Sequence, residues 1–75
     1  MDRSMQLRHL EKAERHIAEG MRHIAEQELR IEELARHGAD LTEARKLLDN
    51  FYAMQTQHIA HRDRIRNALE HSEVR

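Results

Sequence analysis

Histidine is the residue type with which this chain could do chemistry. Seven histidines occur among 75 residues, and cysteine is absent, so disulfides, thiolate nucleophiles and thiolate metal ligands are all excluded. Imidazole nitrogens bind zinc, copper, nickel and ferrous iron. A divalent transition metal is therefore the cofactor that the composition allows. Its candidate ligands are the four histidines expected near the middle of the fold: His16, His23, His58 and His61.

Two other interpretations of the histidines compete with metal binding. In the first, which the sequence favours, His58 and His61 are partly buried polar residues. Their hydrogen-bond partners would be Gln27, Gln55 or Glu19. In the second, the histidines form a pH switch, because protonation of all seven near a pKa of ~6.5 would move the formal net charge from −1 to +6.

Enzyme activity is not expected from this sequence. Ser4 and Ser72 lie at the ends of the chain, where no rigid pocket can form around a nucleophile. The carboxylate–histidine pairs of di-iron bundles and the two-histidine motif of zinc proteases are both missing. There is also no glycine-rich loop that could hold a phosphate group.

Composition and charge argue against a nucleic-acid or membrane partner. The 13 basic and 14 acidic residues are mixed along the chain, so no basic patch marks a nucleic-acid site. Apolar runs are too short for a membrane span, and the first residues contain no apolar segment of the kind found in secretory signals. A cytoplasmic location is the expectation.

The upstream histidines lie on a segment, residues 8–35, whose pattern repeats every seven residues. The third position of each repeat, called a, is Leu10, Ile17, Ile24 or Ile31. The position three residues later, called d, is Ala13, Gly20, Gln27 or Leu34. This spacing predicts an amphipathic helix over residues 4–37, with Asp2 or Ser4 available as its N-cap.

The first helix is predicted to end at Gly38, in a turn over residues 38–40. Glycine suits the left-handed conformation that follows many helices. Asp40 with Glu43 resembles a capping box that opens a second, antiparallel helix over residues 41–71. Its predicted stripe is Leu41, Ala44, Leu47, Leu48, Phe51, Met54, His58, His61, Ile65, Ala68 and Leu69. In the matching register, Gly20 faces His58.

A single seam between two helices leaves many small or apolar residues in water. They are Leu7, Ala18, Met21, Ala25, Leu29, Tyr52, Ala53, Ile59 and Ala60. We therefore predict an all-α fold, an antiparallel helical hairpin over residues 1–75 that forms a homodimeric four-helix bundle. A different helical protein could complete the bundle instead. The predicted function is a non-catalytic interaction or assembly module, and the alternative is a histidine-based metal-binding bundle.

Five short motifs follow one another along this chain. They are HIAEG at 16–20, IAEQ at 24–27, glycine and aspartate at 38 and 40, a leucine pair with Phe at 47–51, and HxxHRDRI at 58–65. Together they resemble a group of short bacterial proteins of unknown function, and the resemblance covers nearly the whole chain. It implies a helical hairpin and carries over no functional residue.

Overall fold

The chain folds into two long helices that pack against each other along their length. A computed structural model describes the backbone of residues 2–73 and the side chains of residues 2–71. Helix α1 spans Arg3–Arg36 and helix α2 spans Thr42–Glu73. They form a rod of 59 × 14 × 14 Å. The predicted all-α hairpin is confirmed, and the predicted helix bounds differ by no more than two residues at each end.

Helix α1 begins at a capping aspartate. The backbone of Asp2 is extended, and its carboxylate accepts a hydrogen bond from the Ser4 backbone N–H at 3.0 Å. This bond satisfies one of the donors that the first turn of a helix leaves unpaired. Of the two predicted N-cap residues, Asp2 has this role.

The turn after α1 is a Schellman motif. Gly38 adopts the left-handed conformation with φ 70°. The N–H of Ala39 donates to the Leu34 carbonyl at 3.0 Å, and the N–H of Gly38 donates to the Ala35 carbonyl at 3.1 Å. These two bonds satisfy carbonyls at the end of α1 and reverse the chain direction. The predicted use of Gly38 is confirmed.

Asp40 binds the first residue of α2 through its carboxylate. Its Oδ1 accepts hydrogen bonds from the backbone N–H of Thr42 at 3.0 Å and from the Thr42 hydroxyl at 2.8 Å. The backbone bond and then the hydroxyl bond hold the pKa of Asp40 below its usual value. The predicted capping box paired Asp40 with Glu43, whereas the carboxylate binds Thr42. Glu43 instead forms an ion pair with Lys46 at 3.6 Å.

The seam of α1 follows its seven-residue repeat. All eight of the predicted a and d residues are buried or half-buried, and the two most enclosed are Ala13, 3% exposed, and Gln27, 7% exposed. Neighbouring positions on both sides are mostly exposed. The predicted face of α1 is therefore confirmed.

The seam of α2 differs from the predicted stripe. Beginning at Leu41, directly before the helix, the buried and half-buried residues follow in steps of three and four: Leu41, Ala44, Leu48, Phe51, Gln55, His58, Arg62, Ile65 and Leu69. The predicted stripe positions Leu47, Met54, His61 and Ala68 are exposed. Because the interhelical seam keeps a strict seven-residue repeat, it takes in polar Gln55 and Arg62 and leaves their apolar or histidine neighbours outside.

The register between the helices also differs from the prediction. Gly20 contacts the side chain of Gln55 instead of His58, a shift of three residues along α2. Gln55 Nε2 donates to the Ile17 carbonyl at 2.9 Å, and Gln27 Nε2 donates to the Ala44 carbonyl at 2.9 Å. Each helix thus sends one glutamine to the backbone of the other.

The apolar core of the hairpin is small. Its buried apolar residues are Ala13, Ile65 and Leu69, with Leu10 packed against them. No side chain in the described part of the chain is less than 2% exposed. Within the same residues, neither helix has a stretch apolar enough to cross a membrane.

Candidate functional site

The seam divides the surface of the rod into two long faces, each formed by one flank of each helix. We call the first the histidine face, and its central groove of about 190 Å³ is lined by His16, Glu19, Gly20, His23, Phe51, Met54, Gln55 and His58. We call the second the apolar face, and its groove of about 520 Å³ is lined by Ile17, Met21, Ile24, Ala25, Glu28, Tyr52, Gln55, Thr56, Ile59 and Arg62.

Aromatic rings of the two helices meet on the histidine face. The rings of His16 and His58 lie with centroids 5.5 Å apart and planes tilted by 48°. The ring of His23 lies 5.6 Å from that of Phe51, with the planes tilted by 34°. These two contacts lie on either side of the layer formed by Gly20 and Gln55. The histidines therefore contribute to packing between the helices.

The four candidate metal ligands do not converge on one point within the chain. His16 and His58 are neighbours, but His23 packs against Phe51. His61 is exposed and lies outside the central groove, in a neighbouring groove that it lines together with His9 and His16. Among the side chains of residues 2–71, no group of three or more histidines or carboxylates is arranged to hold a metal ion. The prediction that His58 and His61 are both partly buried is wrong for His61.

Zinc is expected to leave the thermal stability of the metal-free protein unchanged at one equivalent per chain. Structural zinc sites use four protein ligands, whereas the side chains that the structure describes include no group of three or more histidines or carboxylates that could hold a metal ion. Differential scanning calorimetry with and without zinc measures the effect. A rise in Tm that disappears in the His58→Ala, His61→Ala double variant would contradict this expectation, because a specific site must stabilise the folded state.

Large apolar side chains are exposed on the apolar face. Met21 is 63% exposed, Tyr52 44% and Ile59 38%. Ala25 lies beside them, and the small side chain of Ala18 is exposed on the same flank of α1. Small residues next to large ones allow a partner helix to approach closely. The centre of this face therefore has the composition of a helix-packing surface.

Two polar contacts join the helices on the apolar face, one on each side of its centre. The Tyr52 hydroxyl donates to Glu28 Oε2 at 2.6 Å, and this bond is the main reason why the pKa of Tyr52 is raised. Towards the other end of the rod, Arg66 donates to Glu14 Oε2 at 3.0 Å. Exposed pairs of this kind add little stability. They do show which flanks of the two helices lie side by side.

The burial of Gln55 against Gly20 in the seam was not predicted from the sequence. Gln55 is 8% exposed, and its Oε1 is buried without a hydrogen-bond partner. The oxygen lies over Gly20, where the Cβ of any other residue would overlap it. The available signal was the repeat itself, because counting in sevens along α2 from Leu41 through Leu48 arrives at Gln55 and then Arg62.

The chain matches no family model, no curated protein and no solved structure. The resemblance to short bacterial hairpin proteins therefore stays a prediction.

Proposed function

We propose that this protein is a non-catalytic interaction and assembly module that self-associates through helical packing into a homodimeric four-helix bundle. The observation that carries the proposal is the imbalance between buried and exposed apolar side chains. Among the residues that the structure describes, three apolar ones are buried, whereas eight large apolar ones are 38–63% exposed. The eight are Met5, Leu7, Met21, Leu29, Leu47, Tyr52, Met54 and Ile59.

The small size of the chain supports the same proposal, because a chain of this length buries little apolar surface on its own. Small chains bury a low fraction of their surface, and they usually need a disulfide, a metal or a partner chain to be stable. Cysteine is absent, and the described histidines and carboxylates include no group that could hold a metal ion. Packing against another helical surface remains as the source of additional apolar burial. A second copy is always present at the same concentration, and two-fold dimers are the commonest oligomers.

Analytical ultracentrifugation over a range of micromolar concentrations tests the proposal. We expect a species of twice the chain mass of 9.0 kDa. We also expect a Tm that rises with protein concentration, because dissociation accompanies unfolding of an obligate dimer. A folded monomer at micromolar concentration, with a Tm independent of concentration, would rule out self-association.

A further inference from the structure

We propose that the second copy packs on the apolar face, with the two rods antiparallel and a two-fold axis passing close to Met21. This inference rests on the proposed self-association and adds which of the two faces is covered and in which orientation. It leaves the histidine face of both copies on the outside of the bundle.

The exposed side chains favour the apolar face over the histidine face. Met21 at the centre of the apolar face is the most exposed of the large apolar residues, at 63%, and Tyr52 and Ile59 lie around it. The central groove of the histidine face is lined by three imidazoles and a carboxylate, besides Phe51 and Met54. Burying polar rings that lack partners costs free energy, whereas burying the apolar face gains it.

The charges at the ends of the apolar groove favour antiparallel rods. Glu28 lies at the end nearer the turn, and Arg62 lies at the end nearer the chain termini. A two-fold axis that passes close to Met21, perpendicular to the rod, brings Glu28 of each copy to the same level along the rod as Arg62 of the other. The guanidinium of Arg62 binds Asp63 through Nε at 2.9 Å and keeps further donors for such a contact. Parallel rods would instead bring the two Glu28 carboxylates to one level of the interface and the two Arg62 guanidinium groups to another.

The size of the face is sufficient for a stable dimer. One side of the rod measures 59 × 14 Å, which gives on the order of 800 Å² per partner, the area that standard stable interfaces bury on each side. The apolar centre would form the dry core of this interface, and the Glu14–Arg66 pair would lie at its polar rim.

Cysteine cross-linking tests the face and the orientation together. The natural chain has no cysteine, so each single variant reports one position. Met21→Cys is expected to form a disulfide-linked dimer on oxidation, because residues at a two-fold axis meet their own copies. Met54→Cys is the matched control, since it replaces an exposed methionine, 49% exposed, on the histidine face, and we expect it to stay unlinked.

Glu28→Cys tests the orientation, because in antiparallel rods its two copies lie roughly 20 Å apart at ~1.5 Å per residue along the helix. We expect no link for this variant. Equal linkage of Met21→Cys and Glu28→Cys would indicate parallel rods, and linkage of Met54→Cys instead of Met21→Cys would indicate the histidine face. Either result overturns the inference while self-association stands.

Charge substitution gives an independent measurement in solution. Met21→Glu is expected to raise the dimer Kd roughly a hundredfold, since it places two carboxylates together in the interface, while Met54→Glu leaves the Kd within about threefold. Sedimentation measures both, and circular dichroism verifies that each variant is helical. Dissociation by Met54→Glu alone contradicts the proposed face, and a wild-type chain that is monomeric throughout contradicts self-association itself. If Met21→Glu does not fold, the cross-linking pair decides.

Discussion

Replacing both Gln27 and Gln55 by leucine is expected to raise the free energy of unfolding by about 2–4 kcal/mol. A buried leucine contributes ~1.5–3 kcal/mol, and the amide hydrogen bond that it replaces contributes a net ~0.5–1.5 kcal/mol. The carbonyls of Ile17 and Ala44 lose these glutamine donors, but both lie within helices and keep a backbone partner. Urea unfolding at a fixed protein concentration measures the gain.

The same double variant is expected to lose its unique register. Each glutamine binds one backbone carbonyl of the other helix, and a shift by one helical turn would break both bonds. Leucine layers accept such shifts because their packing is not directional. In coiled coils, by contrast, single polar residues in the seam fix the register. More than one set of amide resonances in the NMR spectrum of the variant would report this heterogeneity.

Gln57→Leu is the control for the glutamine variants, because Gln57 is exposed on α2. It removes the same type of side chain without changing the seam. We expect little change in stability and a single set of resonances for this variant. A double seam variant that is less stable than the wild type, or equally uniform in the spectrum, would show that the glutamines do not fix the register.

The fold could be predicted where the sequence repeats strictly. The branched residues at a on α1 are unambiguous, and Gly38 with Asp40 leaves little choice for the turn. On α2, the apolar residue Met54 lies directly beside Gln55, and His61 lies beside Arg62. The predicted stripe contains Met54 and His61, whereas the seam contains their neighbours Gln55 and Arg62. Helix geometry prefers the regular repeat, even when it buries a polar side chain that has a partner.

The candidate site could be predicted only in part, because it depends on the register. Local sequence places His16 and His23 on one flank of α1, but only packing decides which α2 residues face them. The shift of three residues puts Gln55 against Gly20 and brings His58 to His16. His61 then lines a neighbouring groove and not the central one. A sequence pattern fixes each helical face, whereas side-chain volume and buried hydrogen bonds fix how the faces meet.

Gly20→Ala is expected to lower the free energy of unfolding by about 1 kcal/mol, although alanine is the better helix former by ~1 kcal/mol. Its Cβ would overlap Gln55 Oε1 and lie 2.8 Å from Gln55 Cδ. The amide must therefore move, which breaks its bond to the Ile17 carbonyl and disturbs a tightly packed layer, at a cost of ~1–3 kcal/mol. This packing cost exceeds the gain in helix propensity.

The sign of this effect is expected to reverse when Gln55 is removed. The Gln55→Ala substitution removes the three atoms that lie nearest to the new Cβ, so in this background Gly20→Ala should stabilise by about 1 kcal/mol through helix propensity. The coupling energy of the double-mutant cycle is then about 2 kcal/mol, within the range seen for residues in contact. Ala60→Gly, at an exposed position of α2, is the control and should cost about 1 kcal/mol in both backgrounds.

Urea unfolding of the four proteins at one protein concentration measures the cycle. Effects that add to within ~0.5 kcal/mol would be those of distant, independent sites and would contradict the contact between Gly20 and Gln55. A coupling near 2 kcal/mol would establish the register by a route independent of any oligomeric state. It would also explain why α1 keeps a glycine at its centre: the bare Cα leaves the space in which Gln55 reaches the backbone of the opposite helix.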